Sequence, residues 1–159
     1  MEPSQEKTKR LLRVYADGVF DMFHLGHMSY LKRVRAQFSE PIHLVVGVCS
    51  DETVEMYKRR PVLSYEIRVQ TILMSGFADE VVEAPLRADA EFIERNQIDF
   101  VTHGSDWTEE SVEKYYGDAK RLNKLKIVPF TPGISTTQII REIVSRDDLY
   151  ESHKLPQNA

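Results

Sequence analysis

His24 and His27 flank Leu25-Gly26, just after Asp17-Gly18-Val19-Phe20-Asp21. Imidazoles at this spacing fill loops, ligate a metal or hydrogen-bond to an anion. The apolar run Leu11 to Ala16 precedes them and helical periodicity follows, so they fall at a strand-to-helix turn near the positive end of a helix. A nucleotide phosphate suits that position. Gly18 would let the backbone approach a ligand, and Gly26 would let a phosphate or ribose lie against the helix start.

Three further segments could act with this turn. In Lys58-Arg59-Arg60-Pro61-Val62-Leu63-Ser64-Tyr65-Glu66-Ile67-Arg68, the cations could neutralise substrate phosphates while Pro61 stiffens the approach to the next helix. A solvated basic turn and a salt bridge from Arg68 are the plainer alternatives. Thr102-His103-Gly104-Ser105-Asp106-Trp107 combines a glycine, polar side chains and an indole, and could line a nucleoside pocket or be ordinary loop chemistry. Thr131-Pro132-Gly133-Ile134-Ser135-Thr136-Thr137 brings three hydroxyls to a helix start, as an anion site or as simple N-capping by Ser135 or Thr136.

The elements that must position these segments follow from apolar runs bounded by turn residues. Strands are expected at Leu11 to Ala16, Ile42 to Val48, Glu80 to Ala84, Phe100 to His103 and Lys126 to Phe130. Helical periodicity marks Leu25, Tyr30, Leu31 and Val34, then Ile67, Thr71, Ile72 and Leu73 after Ser64 as N-cap. Further helices are expected over Ala88 to Asn96, Thr108 to Leu122 and Ser135 to Ser145. Strands alternating with helices imply right-handed crossovers, hence one Rossmann-like, doubly wound α/β domain around a five-stranded parallel sheet. Ligands of such sheets lie beyond the carboxyl ends of the strands, where strand order reverses. All four segments follow strands or sit near those ends.

The 159 residues carry 42% hydrophobic and 29% charged side chains, enough for one core without disulfides or structural metal. A domain over residues 11–147 is expected, with a flexible N-terminal extension at 1–10 and a C-terminal tail at 148–159. Met1 to Arg10 lacks the features of a signal or transit peptide, and no apolar stretch approaches the length of a membrane span. Cys49, the one cysteine, closes the second strand as a small buried thiol. These features lead us to expect a cytoplasmic location. A net charge of −4 argues against a broad grip on nucleic acid.

His24-Leu25-Gly26-His27 resembles the HxGH signature of the nucleotidyltransferase superfamily. Its pairing with Gly133-Ile134-Ser135-Thr136-Thr137 resembles the cytidylyltransferase branch. Gly104-Ser105-Asp106-Trp107 is similar to the GDDW of glycerol-3-phosphate cytidylyltransferases, and the basic segment falls where the branch has a phosphate-binding lysine. The resemblance runs from Val14 to Ile143 with its motifs in order.

It implies that His24, His27 and Lys58 carry catalysis. The histidines would stabilise the triphosphate and the charge developing on its α-phosphate, and Lys58 would hold the second substrate's phosphate. It implies a nucleotide site of Gly18, Val19, Phe20, Asp21, Gly26, His103, Gly104 and Asp106, with Ser135, Thr136 and Thr137 on the β- and γ-phosphates. Arg60 and Arg68 would serve the substrate or a dimer interface. Mg²⁺ would accompany CTP, and no metal would be held by protein ligands. A homodimer is expected.

This chain departs from the family pattern at three positions. Phe130 stands where an arginine usually contacts phosphate, Ser105 replaces the first aspartate of GDDW, and Ile67 replaces a glutamate. Tyr57 to Val62 together with Pro129 to Gly133 is most similar to cytidylyltransferase domains of phosphonate pathways. The implied activity is CMP transfer from CTP to a small phosphorylated or phosphonylated alcohol or amine. The alternatives are an ATP-dependent adenylyltransferase and a nucleotide-binding regulatory module without turnover.

Overall fold

In the computed structural model, residues 10–130 and 132–151 are described. Thr131 of the fourth segment, residues 1–9 of the expected extension and residues 152–159 of the expected tail lie outside the described residues.

Five strands form one parallel sheet: β1 (Leu12–Gly18), β2 (Ile42–Cys49), β3 (Glu80–Ala84), β4 (Phe100–Gly104) and β5 (Leu125–Val128), in the order β3-β2-β1-β4-β5. Strand order reverses between β1 and β4, so the crevice expected for ligand opens at Gly18 and Gly104. Side chains alternate across the sheet. On one face Val14, Ala16, Leu44 and Val46 meet Leu31 and Val34 of α1 (Leu25–Ala36) and Ile72 of α3 (Tyr65–Ser75). On the other, Tyr15, Val45 and Val101 pack on Phe92 and Ile93 of α4 (Ala90–Arg95) and on Tyr116 and Ala119 of α5 (Glu109–Arg121).

Two strand ends and one additional helix differ from expectation in ways that bear on the site. β1 runs on to Gly18, with Asp17 in register with Gly47 and Gly18 with Val48, so Asp17 is a strand residue and not part of the turn. β5 stops at Val128, because Pro129 has no N–H to give a ladder. A short α2 (Asp51–Glu55) follows β2, capped by Ser50 Oγ accepting from Thr53 N–H at 3.2 Å. Its single buried residue, Val54, gives no periodicity to detect.

Ser64 is the N-cap of α3 by position, but its side chain makes no capping bond. The chain continues into α6 (Thr136–Val144) and α7 (Asp148–Glu151), the latter starting where a tail was expected. No helix among the described residues is long and apolar enough to cross a membrane.

Candidate active site

The loop leaving β1 is held in a costly conformation, with positive φ at Phe20 (53°) and Met22 (52°). Asp21 lies between them, and its buried carboxylate accepts from the backbone N–H groups of Val62 and Leu63 at 2.8 and 3.0 Å. The loop is thereby tied to the basic segment before α3. Asp21, expected on the nucleotide, borders the cavity while each of its oxygens accepts from that backbone.

His24 is the N-cap of α1, its Nδ1 accepting from Gly26 N–H at 3.1 Å. Its own N–H points at Nδ1 of His27 at 3.3 Å, and the two rings stack with centroids 3.8 Å apart. An Nδ1 that accepts leaves the ring proton on Nε2 in a neutral imidazole. Both rings therefore present Nε2–H as a donor. His24 Nε2 lies 3.3 Å from Thr136 Oγ1, which in turn donates to the Asp21 carbonyl at 3.1 Å.

Burial lowers the pKa of both histidines. His27 is pushed to about 3 by burial and by His24 beside it, against the opposing pull of Asp21.

A Cβ on Gly26 would lie 2.9 Å from the His24 ring and 3.0 Å from the Ile134 carbonyl oxygen. The missing side chain admits the segment before α6, and Gly26 also borders the cavity where a phosphate or ribose was expected. That segment turns at Gly133, whose φ of 124° disfavours any side chain. Ser135 caps α6 by accepting from Gln138 N–H at 3.2 Å, as the plainer alternative supposed. Thr136 and Thr137 face the cavity with it.

His24, His27, Gly18, Val19, Phe20, Lys58, His103, Gly104, Asp106 and the three hydroxyls of α6 converge on one cavity of about 700 Å³. A second chamber of about 430 Å³ opens beside it, lined by Cys49, Tyr57, Leu86, Ser111 and Tyr115. The two share Asp17, Gly18, Val19, Lys58, Asp106, Trp107 and Tyr116. Within His103, Nδ1 donates to the Gly104 carbonyl at 2.7 Å and the ring stacks on Tyr116. Its Nε2 is then a buried bare acceptor with no partner among the described residues, suited to a hydroxyl or amino donor of a nucleoside.

Neither Arg60 nor Arg68 lines a chamber. Arg60 turns away to Glu55 at 3.7 Å and lines neither chamber; Arg59 lines the cavity in its place and lies 3.7 Å from Asp21. Arg68 is fully buried, donating to Asp51 at 2.6 Å, to the Val19 carbonyl at 2.6 Å and to the Leu63 carbonyl at 3.1 Å. It pins the first loop to α2 and the basic segment, so it is an internal brace and not a ligand or interface residue.

The departures at positions 105 and 130 touch each other. Ser105 Oγ accepts from Phe130 N–H at 2.9 Å. The hydroxyl fastens the segment after β5 to the end of β4, while Phe130 lines the cavity where the resemblance led us to expect an arginine.

Asp17 and Tyr57 stood within quoted motifs without a role of their own, and Tyr115 and Tyr116 were not singled out from sequence. Tyr116 had a weak signal, lying three residues before Ala119 on the buried face of α5. Its hydroxyl donates to Asp17 at 2.6 Å. Burial raises Asp17 to about 6 against that bond.

Comparison with known proteins matches residues 15–142 to a cytidylyltransferase-like family model. The chain is 37% identical to choline-phosphate cytidylyltransferase of Saccharomyces cerevisiae, covering 90% of this chain and 34% of that protein. It is 36% identical to choline-phosphate cytidylyltransferase A of Homo sapiens (92% and 40%) and 34% identical to ethanolamine-phosphate cytidylyltransferase of Dictyostelium discoideum (86% and 38%). It thus spans roughly a third to two fifths of these relatives' lengths. Among solved structures, the lipopolysaccharide core biosynthesis protein of Thermoplasma volcanium GSS1 superposes with a TM-score of 0.62 at 27% identity, covering 78% of this chain and 99% of that one.

Proposed function

The chain belongs to the cytidylyltransferase-like family, and from that premise we propose that it transfers CMP from CTP to a small phosphorylated amine or alcohol, releasing pyrophosphate. The observation that carries this is the meeting of two chambers at Lys58. One is edged by Nε2–H donors and the start of α6; the other is aromatic with a carboxylate. An oxygen of the acceptor's phosphate attacks the α-phosphorus of CTP in line. The new P–O bond forms as the bond to the β-phosphate oxygen breaks, and the pair of electrons leaves with pyrophosphate.

His24 and His27 donate from Nε2 to the α-phosphate oxygens, and the free N–H groups and hydroxyls at the start of α6 hold the β- and γ-phosphates. Lys58 neutralises the acceptor's phosphate, bringing two anions within reach of each other. No protein nucleophile is required. Mg²⁺ would accompany CTP, held by phosphate oxygens and water, and the N–H groups and hydroxyls at the start of α6 would bind those phosphates.

The second chamber suits a cationic head group, because Asp17 supplies a carboxylate and Trp107, Tyr115 and Tyr116 supply aromatic surface. The relatives are choline- and ethanolamine-phosphate cytidylyltransferases, which supports that choice. Pyrophosphate release should be followed with CTP and with ATP against phosphocholine, phosphoethanolamine, 2-aminoethylphosphonate and glycerol-3-phosphate. CTP with a cationic acceptor is expected to exceed CTP with glycerol-3-phosphate by about tenfold or more in kcat/KM. Turnover with ATP alone would overturn the nucleotide assignment, and tight CTP binding without release would favour the regulatory module.

The homodimer belongs to the same proposal. Val62, Ile67 and Met74 expose apolar surface on and before α3, and sedimentation as a monomer at working concentration would count against it. A cytoplasmic location is likewise proposed, supported by the free thiol of Cys49; fractionation of cells with a chain-specific antibody checks it.

A further inference from the structure

We propose that Tyr57 is a positioning residue: it seats Lys58 and closes the mouth of the acceptor chamber, a role that rests on the transfer reaction proposed above. Lys58 belongs to residues 56–64, which link α2 to α3 and carry the basic cluster. The far end of this link is fixed by Asp21 through Val62 and Leu63. At the near end, the Tyr57 hydroxyl donates to Cys49 Sγ, 3.7 Å away, at the last residue of β2.

The phenol ring also reaches across the chamber. Its centroid lies 6.3 Å from that of Tyr115 on α5, the opposite wall, and the Lys58 ammonium sits 5.8 Å from the same ring. Tyr57 lines only the second chamber, whereas Lys58 lines both. One side chain thus ties the link to the sheet, contacts the far wall and supports the ammonium at the junction. Cys49 lines the chamber behind it and is only 8% exposed. Burial pushes this thiol up to about 11, so it stays an uncharged partner for the hydroxyl.

The ring and the hydroxyl separate by substitution. Tyr57→Ala is expected to raise the acceptor KM about 30-fold while kcat falls less than about threefold and the CTP KM moves by less than about twofold. Tyr57→Phe keeps the ring and loses the bond to sulfur, so its acceptor KM should rise about threefold. A second readout needs no turnover. Cys49 is the sole cysteine of the chain, and maleimide labelling of the folded protein should be about tenfold faster in Tyr57→Ala, since an opened mouth exposes the thiol.

An enzyme that turns over with an unchanged acceptor KM in Tyr57→Ala would overturn the proposal. Should the wild-type protein release no pyrophosphate with any acceptor of the panel, the transfer function fails on its own account. Labelling still decides the seat of Tyr57 in that case: equal rates in wild type and Tyr57→Ala overturn it, and faster labelling in Tyr57→Ala supports it.

Discussion

Alanine at His24 or His27 is expected to lower the turnover of CTP by about 10²–10³, the usual cost of deleting one preorganised donor to a developing charge. The size follows from how each ring is held. Nδ1 of His24 is committed to Gly26 N–H and Nδ1 of His27 to His24 N–H, so each Nε2–H is aimed before substrate arrives. His27 needs no reorganisation at the moment of transfer, whereas His24 Nε2 must leave Thr136 Oγ1, 3.3 Å away. The loss should fall on kcat more than on the CTP KM, because the start of α6 still binds the outer phosphates. His24→Ala also removes the cap of α1 and should cost about 1 kcal/mol of stability, visible as a modest fall in melting temperature.

Near-normal turnover in both variants would remove the histidines from the reaction. The pH dependence has a fixed sign. His27 titrates in the folded chain near 3, below its unfolded value near 6.5, so its contribution to stability is complete above pH 6.5 and is lost as pH falls toward 3. Histidine protonation in the free protein therefore contributes no activity loss between pH 7 and 8.

The fold was legible because strand runs such as Ile42 to Val48 are apolar throughout, as doubly covered parallel strands must be. What escaped was local and polar. The five residues of α2 contain one buried side chain, too little for a period, yet they bring Asp51 to Arg68. Within Lys58-Arg59-Arg60, composition cannot say which cation faces the cavity; the turn does, sending Arg60 to Glu55 and leaving Arg59 inward. Gly26 was legible as a close approach, but the approaching partner is the Ile134 carbonyl, more than a hundred residues later. The Ser105–Phe130 bond was unreadable for the same reason. Two departures from a family pattern become one contact only after β4 and β5 pair. Asp17 was visible in its motif, and its extension of β1 beyond the apolar run set its environment.

That environment gives the second large effect. Asp17→Asn is expected to raise the KM for a cationic acceptor about 10²-fold and at the same time to stabilise the fold at pH 8. Burial holds the carboxyl up to about 6, against an unfolded value near 3.8. The folded chain then binds this proton more tightly than the unfolded one, and the group loses stability as pH climbs from about 4 through 6. Above pH 6 the penalty is complete, up to about 3 kcal/mol for a shift of roughly two units. Asparagine carries no charge and can still accept from Tyr116, so urea unfolding should show the variant gaining at pH 8 and converging with wild type near pH 4.

The acceptor KM should rise below pH 6 more steeply in the wild-type protein than in Asp17→Asn, because neutralisation of Asp17 adds there to that of the acceptor's own phosphate, whose second pKa is about 6. Glycerol-3-phosphate, with no cation to read, should show the same pH dependence in both proteins. A carboxylate kept only for structure would lower stability when replaced and leave acceptors undistinguished. Stability and head-group recognition moving in opposite directions is the signature of a charge held at a cost for the ligand it meets.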